Sequence, residues 1–125
     1  MNLLQYLGIK IQTVTANQVI ISINVTDQIK QPFGIVHGGI NAILAETAAS
    51  LGANAWLTNN DRHQVATGVD INTHHLRAVK TGVLKAVATP LKLGRRIQTW
   101  QVQTFNDDQI TSNSTVSLLN TTLDS

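Results

Sequence analysis

A single long helix is predicted over residues 38–57, whose sequence is GGINAILAETAASLGANAWL. The segment contains no Pro, is rich in Ala and Leu, and spaces its apolar residues by three and four, as an amphipathic helix does. At 1.5 Å per residue the helix would be about 30 Å long. On a helical wheel six apolar residues form a stripe along one face, which we expect to pack on a sheet. They are Ile40, Ile43, Leu44, Ala48, Leu51 and Ala55.

The opposite face of this helix carries Ala42, Ala45, Ala49 and Ala53 instead of the Lys and Glu of a solvent-exposed helix. A helix that is apolar on both faces belongs in an interior. One small domain has little protein with which to cover the second face, so we expect a second subunit to cover it. The Asn, Thr, Ser, Gly and Glu content of the segment argues against a membrane span.

The remainder of the chain has strand character. Val19, Ile21, Ile23 and Val25 alternate with other residues, so residues 18–26 and the preceding residues 9–15 indicate a hairpin. Short connections between successive strands require antiparallel pairing, and the lone helix would lie across the sheet. The sequence thus predicts an α+β fold in which an antiparallel sheet wraps around one long central helix. The other predicted elements are a helical turn at residues 2–7 and strands at 65–73, 82–89, 97–105 and 110–119.

The amino-acid composition excludes several classes of protein and of functional site. The chain has 125 residues, enough for one domain, and 42% are hydrophobic, which excludes intrinsic disorder. The absence of Cys excludes disulfides, a thiolate nucleophile and Cys-ligated metal sites. The first residues, MNLLQYLGIKIQTV, lack the cationic and apolar regions of a signal peptide, so we expect a cytoplasmic protein.

The basic residues are concentrated in one segment. The net charge is only +2, yet six of the nine Lys and Arg residues lie between residues 71 and 106, where no Asp or Glu occurs. Such a segment favours an anionic ligand. The aromatic residues do not alternate with the basic ones as a nucleic-acid stacking surface requires, so we expect a small ligand bearing phosphate and no nucleic-acid partner.

Glu46 is the only ionisable side chain between His37 and Asp61, and it lies at the seam between the two apolar helix faces, on the same edge as Ser50. Burying an unpaired carboxylate is costly, so its presence needs a reason. The carboxylate could act as a nucleophile or general base, or it could pair with an Arg of a neighbouring strand or subunit.

The residues before the helix add a second feature. His37 is followed by Gly38 and Gly39, and backbone N–H groups at a helix start are unsatisfied within the helix. Such N–H groups could stabilise an oxyanion, although a Gly pair also serves simply to turn the chain. The combination of Gln31, His37, the Gly pair and Glu46 is a stronger signal of a site that polarises a carbonyl group than the Gly pair alone.

The segment QPFGIVHGGINAILAETAAS, residues 31–50, resembles the hotdog-fold acyl-CoA thioesterases of the phenylacetate-pathway and Arthrobacter-type 4-hydroxybenzoyl-CoA branch. It is especially similar to enzymes that hydrolyse 1,4-dihydroxy-2-naphthoyl-CoA, in menaquinone biosynthesis. The resemblance continues through LLQYLGIKI, VDINTHHLRAVKTGVLKA and LKLGRRIQTWQVQTF. It implies one hotdog domain over residues 1–125 that works as a dimer or dimer of dimers, with active sites between subunits.

The resemblance also assigns roles to residues. Glu46 would be the catalytic carboxylate, supplied across the dimer interface from the Gly38 N–H that polarises the thioester carbonyl. Gln31 and His37 would orient the thioester or water, and Ser50 would be the hydroxyl one turn after the carboxylate. The surface for the CoA nucleotide and phosphates would include His75, Arg77, Gly82, Arg95 and Arg96. The resemblance implies no cofactor beyond the CoA of the substrate, and no metal.

Other functions fit the sequence less well. A metal site at His74 and His75 is disfavoured, because adjacent strand residues point to opposite faces. A serine hydrolase would need a G-x-S-x-G motif, which the sequence lacks. Two alternatives remain open, a non-catalytic acyl-CoA-binding protein of the same fold and a proofreading thioesterase that acts on carrier-protein-bound acyl groups. Aromatic, short aliphatic and carrier-protein-bound acyl groups all fit the sequence.

Overall fold

Helices and strands follow one another in the predicted order in the computed structural model, which describes residues 1–122. Residues 123–125 of the predicted domain lie outside the described residues. The elements are α1 (Leu3–Leu7), β1 (Lys10–Val14), β2 (Val19–Asn24), a 3₁₀ turn (Asp27–Ile29), α2 (Gly38–Asn59), β3 (Val65–His75), β4 (Val83–Leu93), β5 (Ile97–Asn106) and β6 (Gln109–Thr121).

The six strands form one sheet in the order β1-β2-β4-β5-β6-β3, and every neighbouring pair is antiparallel. The long helix α2 contacts all six strands, because the sheet curves around it. The predicted α+β fold, with an antiparallel sheet wrapped around one central helix, is confirmed. β3 pairs only with β6 and is therefore an edge strand within the described chain. No helix in residues 1–122 is long and apolar enough to cross a bilayer.

The buried face of α2 differs from the predicted one. Ala45, Ala49 and Ala53, which we expected a second subunit to cover, are buried by the protomer's own sheet. Ile43 and Leu51, expected in the core, are only partly buried. The helical-wheel prediction of the buried face was wrong because α2 is apolar almost all round. Its hydropathy therefore does not indicate which face packs on the sheet. The open edge of α2 runs instead through Ile43, Glu46, Thr47 and Ser50.

Small residues on α2 make room for Trp100 of β5. A Cβ atom at Gly52 would lie 2.4 Å from Cη2 of Trp100, so only glycine fits there. Trp100 is fully buried, and its indole N–H donates to Oε1 of Gln98 at 2.9 Å. The amide of Gln98 in turn donates to the carbonyl oxygen of Ala53 at 3.2 Å. The helix and the sheet are thus joined by close packing and by a buried hydrogen-bond chain.

β3, β4 and β6 are each two or three residues longer than predicted, and β5 is one residue longer. β4 continues through Pro90 to Leu93, with a register shift against β5 between Pro90 and Lys92. Proline lacks an N–H, and a bulge next to it lets pairing resume beyond. β3 extends to His75 because its last residues pair with β6, His75 opposite Ser112. This extension brings His75 to the first turn of α2.

Candidate active site

The start of α2 presents a free backbone donor. His37 is the N-cap residue, and its Nδ1 accepts the N–H of Gly39 at 2.8 Å. The N–H of Ile40 donates to the His37 carbonyl oxygen at 3.0 Å. Within residues 1–122, the Gly38 N–H has no protein acceptor. The positive end of the helix dipole therefore meets solvent at Gly38 with one N–H available to a ligand.

This N–H belongs to a pocket of about 350 Å³ at the start of α2. Gln31, from the preceding loop, lines the pocket and is held by its own loop, since its Oε1 accepts the Phe33 N–H at 2.5 Å. Oε1 of Gln31 therefore accepts a bond from its own loop, and its Nε2 group is available to donate to a ligand. The predicted residues Gln31, Gly38, His75 and Arg77 all line this pocket.

His75 lies directly against Gly38. A Cβ atom at residue 38 would be 3.0 Å from both Cε1 and Nε2 of the His75 ring, so glycine allows this close approach. Nδ1 of His75 is 3.0 Å from Nδ2 of Asn41, one turn into α2. Sequence reasoning missed Asn41. Its only sequence signal was an amide on a helix turn that is otherwise apolar.

The side chain of Glu46 lies on the open edge of α2, over β3. Its Oε2 would be 2.8 Å from a Cβ atom at Gly68, so the carboxylate occupies the space that a side chain would fill. Glu46 shares a second pocket, of about 240 Å³, with Ser50 and Thr47. In the single protomer Glu46 is exposed, because glycine faces it and no strand of residues 1–122 lies beyond β3. Burial of the carboxylate between two subunits therefore stays a prediction. Within residues 1–122 no cation pairs with Glu46.

A single protomer does not bring Glu46 to Gly38. The two residues are eight positions apart on one helix, which corresponds to about 12 Å along the axis. They line different pockets. One thioester carbonyl therefore cannot meet the N–H of Gly38 and the carboxylate of Glu46 of the same chain at hydrogen-bond distance.

The predicted CoA-binding residues are distributed over three places. His75 and Arg77 line the Gly38 pocket. Gly82, with φ of 89°, precedes β4 and borders a groove of about 720 Å³ on another part of the surface, with Lys85 and Phe105. Arg95 and Arg96 lie in the β4–β5 turn, where the Arg95 carbonyl oxygen accepts a bond from Arg62 at 2.9 Å. That turn is near the carboxyl end of α2, so the protomer does not bring these two arginines to the Gly38 pocket.

The two histidines of β3 face opposite ways. His75 contacts Asn41 of α2, and strand alternation directs the adjacent His74 to the other face of the sheet. Within residues 1–122, no three His, Asp or Glu side chains lie close enough to share a metal ion.

The fold is shared with solved thioesterases. A thioesterase of Haemophilus influenzae superposes with a TM-score of 0.90 at 34% sequence identity, over 98% of this chain and 84% of that one. A 1,4-dihydroxy-2-naphthoyl-CoA hydrolase of Listeria monocytogenes is 31% identical over 87% of this chain and 86% of its own length. The Escherichia coli enzyme of the same name is 33% identical over 85% of this chain and 76% of its own length.

The model of the family described as the thioesterase superfamily matches residues 33–112. This range contains the free Gly38 N–H, Glu46 and the pocket residues of β3. Both the wrapped helix and the similarity to thioester hydrolases agree with the resemblance stated from the sequence. This chain belongs to the thioesterase superfamily, has the hotdog fold, and is a thioester hydrolase.

Proposed function

We propose that this chain hydrolyses acyl-CoA thioesters at a site formed by two copies of the chain. The Gly38 N–H of one copy binds the thioester carbonyl oxygen, and Glu46 of the other copy acts at the carbonyl carbon. The observation that supports this proposal most directly is the unpartnered Gly38 N–H at the start of a 22-residue helix, opening into a pocket.

The Gly38 N–H would activate the carbonyl group. In the transition state the carbonyl oxygen becomes an oxyanion, and a preorganised donor at the positive end of a helix stabilises that charge. Donors of this kind contribute about 3 kcal/mol to transition-state stabilisation. His37 supports the arrangement by capping Gly39, which leaves Gly38 as the free donor. Gln31 would orient the thioester through its free Nε2 group.

Glu46 would supply the second chemical function, with Ser50 beside it in the same pocket. As a nucleophile, a carboxylate oxygen attacks the carbonyl carbon to give a mixed anhydride, which water then hydrolyses. As a general base, the carboxylate takes a proton from a water molecule whose oxygen attacks the same carbon. In both routes the carbon–sulfur bond breaks and the sulfur leaves with the electron pair as the CoA thiolate. A thiolate is a stable leaving group, so no strong general acid is needed and the reaction requires no cofactor.

The second copy would join along β3. This strand has 11 residues, and the described chain pairs it on one side only. A long unpaired edge is a template for pairing with another chain. Glu46 lies over Gly68 of this strand, so a partner at the β3 edge would approach the carboxylate. We therefore propose a homodimer as the minimal active unit, which a dimer of dimers would contain twice.

CoA would bind with its phosphates towards the basic segment that includes Arg77. For the acyl group we propose an aromatic or small acyl chain, with 1,4-dihydroxy-2-naphthoyl the first candidate because two relatives bear that name. CoA thioesters are cytoplasmic metabolites, so we propose that location. A panel of acyl-CoA and acyl-carrier-protein thioesters identifies the substrate and separates an acyl-CoA hydrolase from a proofreading thioesterase.

Subunit complementation tests the shared site. Gly38→Pro removes the N–H at the first helical position, where proline is well tolerated, and Gly38→Ala adds a Cβ but keeps the N–H as the control. We expect Gly38→Pro and Glu46→Gln each to lower hydrolysis by about a hundredfold. Co-assembly of these two variants should restore roughly a quarter of wild-type activity, because half of the dimers then contain one intact site.

Two results would contradict the proposal. If the co-assembled mixture stays inactive although both variants fold and dimerise, the two groups do not act together across subunits. If the wild-type protein binds acyl-CoA without hydrolysing any thioester of the panel, it is a binding protein.

A further inference from the structure

Asn41 is an unusual residue for its position in α2. It is 8% exposed, and its Oδ1 is buried with no hydrogen-bond partner in residues 1–122. A buried acceptor without a partner destabilises the folded state, and an apolar residue of similar shape would avoid that cost. The presence of asparagine there needs another reason.

The contact between Asn41 and His75 gives a reason for an asparagine at this position. Nδ2 of Asn41 is 3.0 Å from Nδ1 of His75, and an amide nitrogen can only donate. Nδ1 must then be the accepting nitrogen, so the neutral ring carries its proton on Nε2. The same ring lies on Gly38, with Nε2 3.0 Å from the position of a Cβ atom there. The protonated nitrogen therefore stands beside the residue that presents the free N–H.

We propose that Asn41 is a positioning residue that fixes the tautomer and orientation of His75. Held in this way, His75 offers its Nε2–H in the Gly38 pocket as a second hydrogen-bond donor to an oxygen atom of the bound thioester. Two donors at one place bind a developing negative charge better than one, provided both are fixed before the reaction. The identity of the acceptor oxygen rests on the proposed function, whereas the tautomer does not.

Nitrogen NMR of the His75 ring tests the tautomer directly. We expect the neutral wild-type ring to show a protonated Nε2 and an unprotonated Nδ1. Asn41→Asp keeps the side-chain shape but replaces the donor with an acceptor, so the proton should move to Nδ1. His74, on the other face of the sheet, should be unchanged and serves as the internal reference. A protonated Nδ1 in the wild-type ring, or the same tautomer in both proteins, would overturn the proposal.

A comparison of stability with activity separates positioning from a structural role. Asn41→Leu removes the unpartnered Oδ1, so its melting temperature should equal or exceed that of the wild type. Hydrolysis should nevertheless fall about tenfold, because the ring is no longer fixed. The control is Asn54→Leu on the same helix. Asn54 accepts from the Ala66 N–H at 2.9 Å and donates to the Ser50 carbonyl at 2.8 Å, so this change should lower the melting temperature.

Asn41→Leu is also combined with a change at His75. If Asn41 acts through His75, Asn41→Leu should have no further effect on hydrolysis in a His75→Phe background. Full activity of Asn41→Leu, or a second tenfold loss in that background, would refute the positioning role. Because the NMR result does not depend on turnover, it stands or fails separately from the proposal that the chain hydrolyses acyl-CoA.

Discussion

Adding a single methyl group opposite Glu46 should slow hydrolysis without unfolding the protein. In Gly68→Ala the new Cβ would lie 2.8 Å from Oε2 and 3.2 Å from Cδ of Glu46. An ordinary contact begins at 3.4 Å, so the carboxylate must retreat by about 0.6 Å. A displacement of 1 Å in an active site costs on the order of a hundredfold in rate, so this smaller shift should cost about tenfold.

The fold should tolerate the same change. The three atoms nearest to the new Cβ belong to the flexible end of Glu46, and Gly68 does not have a positive φ. Glycine within a strand is less favourable than alanine by about 0.5–1 kcal/mol, so stability should be unchanged or slightly higher. The neighbouring variant Thr67→Ala removes atoms from the same strand without approaching Glu46 and is the matched control.

Steady-state kinetics with an acyl-CoA substrate, the urea unfolding midpoint and the oligomeric state are measured for both variants. Gly68→Ala should lose kcat while Thr67→Ala retains it, and in a Glu46→Gln background Gly68→Ala should have little further effect. Wild-type kcat in a folded, dimeric Gly68→Ala protein would refute the reasoning that the position of this carboxylate controls the rate.

Three further predictions follow from the same structure. Gly52→Ala should lower the free energy of unfolding by about 1–2 kcal/mol, since overpacking against Trp100 outweighs the gain in helix propensity; a higher urea midpoint would contradict this. Arg77→Ala should raise KM for acyl-CoA more than it lowers kcat, and the rise in KM should be smaller at high salt. Lys10→Ala on the remote edge strand is the control and should change neither constant. If Arg77→Ala has the KM of the wild type, Arg77 does not bind CoA. In a single turnover in ¹⁸O-labelled water, the label should enter the acid product if Glu46 acts as a general base, and the Glu46 carboxylate if it acts as a nucleophile whose anhydride is hydrolysed at the Glu46 carbonyl carbon; label in another residue of the protein would exclude both roles.

Much of the architecture could be predicted because it depends on local patterns. The alternation of Val19, Ile21 and Ile23 predicted a strand, and these side chains are all buried in the sheet. Strand boundaries were less accurate where pairing partners decide them. β4 was predicted to end at residue 89, but its pairing with β5 resumes beyond a register shift near Pro90. His75 joins β3 because Ser112 lies opposite.

The candidate site was predicted only in part. Gln31, Gly38, His75 and Arg77 were expected at the site and do line one pocket. Asn41 was missed because its role depends on a residue 34 positions away, and sequence spacing carries no information about such a contact.

The sequence by itself determined the number and order of the α-helices and strands, since the periodicity of apolar side chains differs between helix and strand. Its motif also led to the prediction that acyl chemistry centres on the segment from Gly38 to Glu46. Only the tertiary structure decided which face of α2 is buried, because an almost uniformly apolar helix does not distinguish its faces and the curved sheet covers Ala45 and Ala49. It also decided that Glu46 stays exposed over Gly68 and about 12 Å from Gly38, since a rigid helix fixes that separation within one chain.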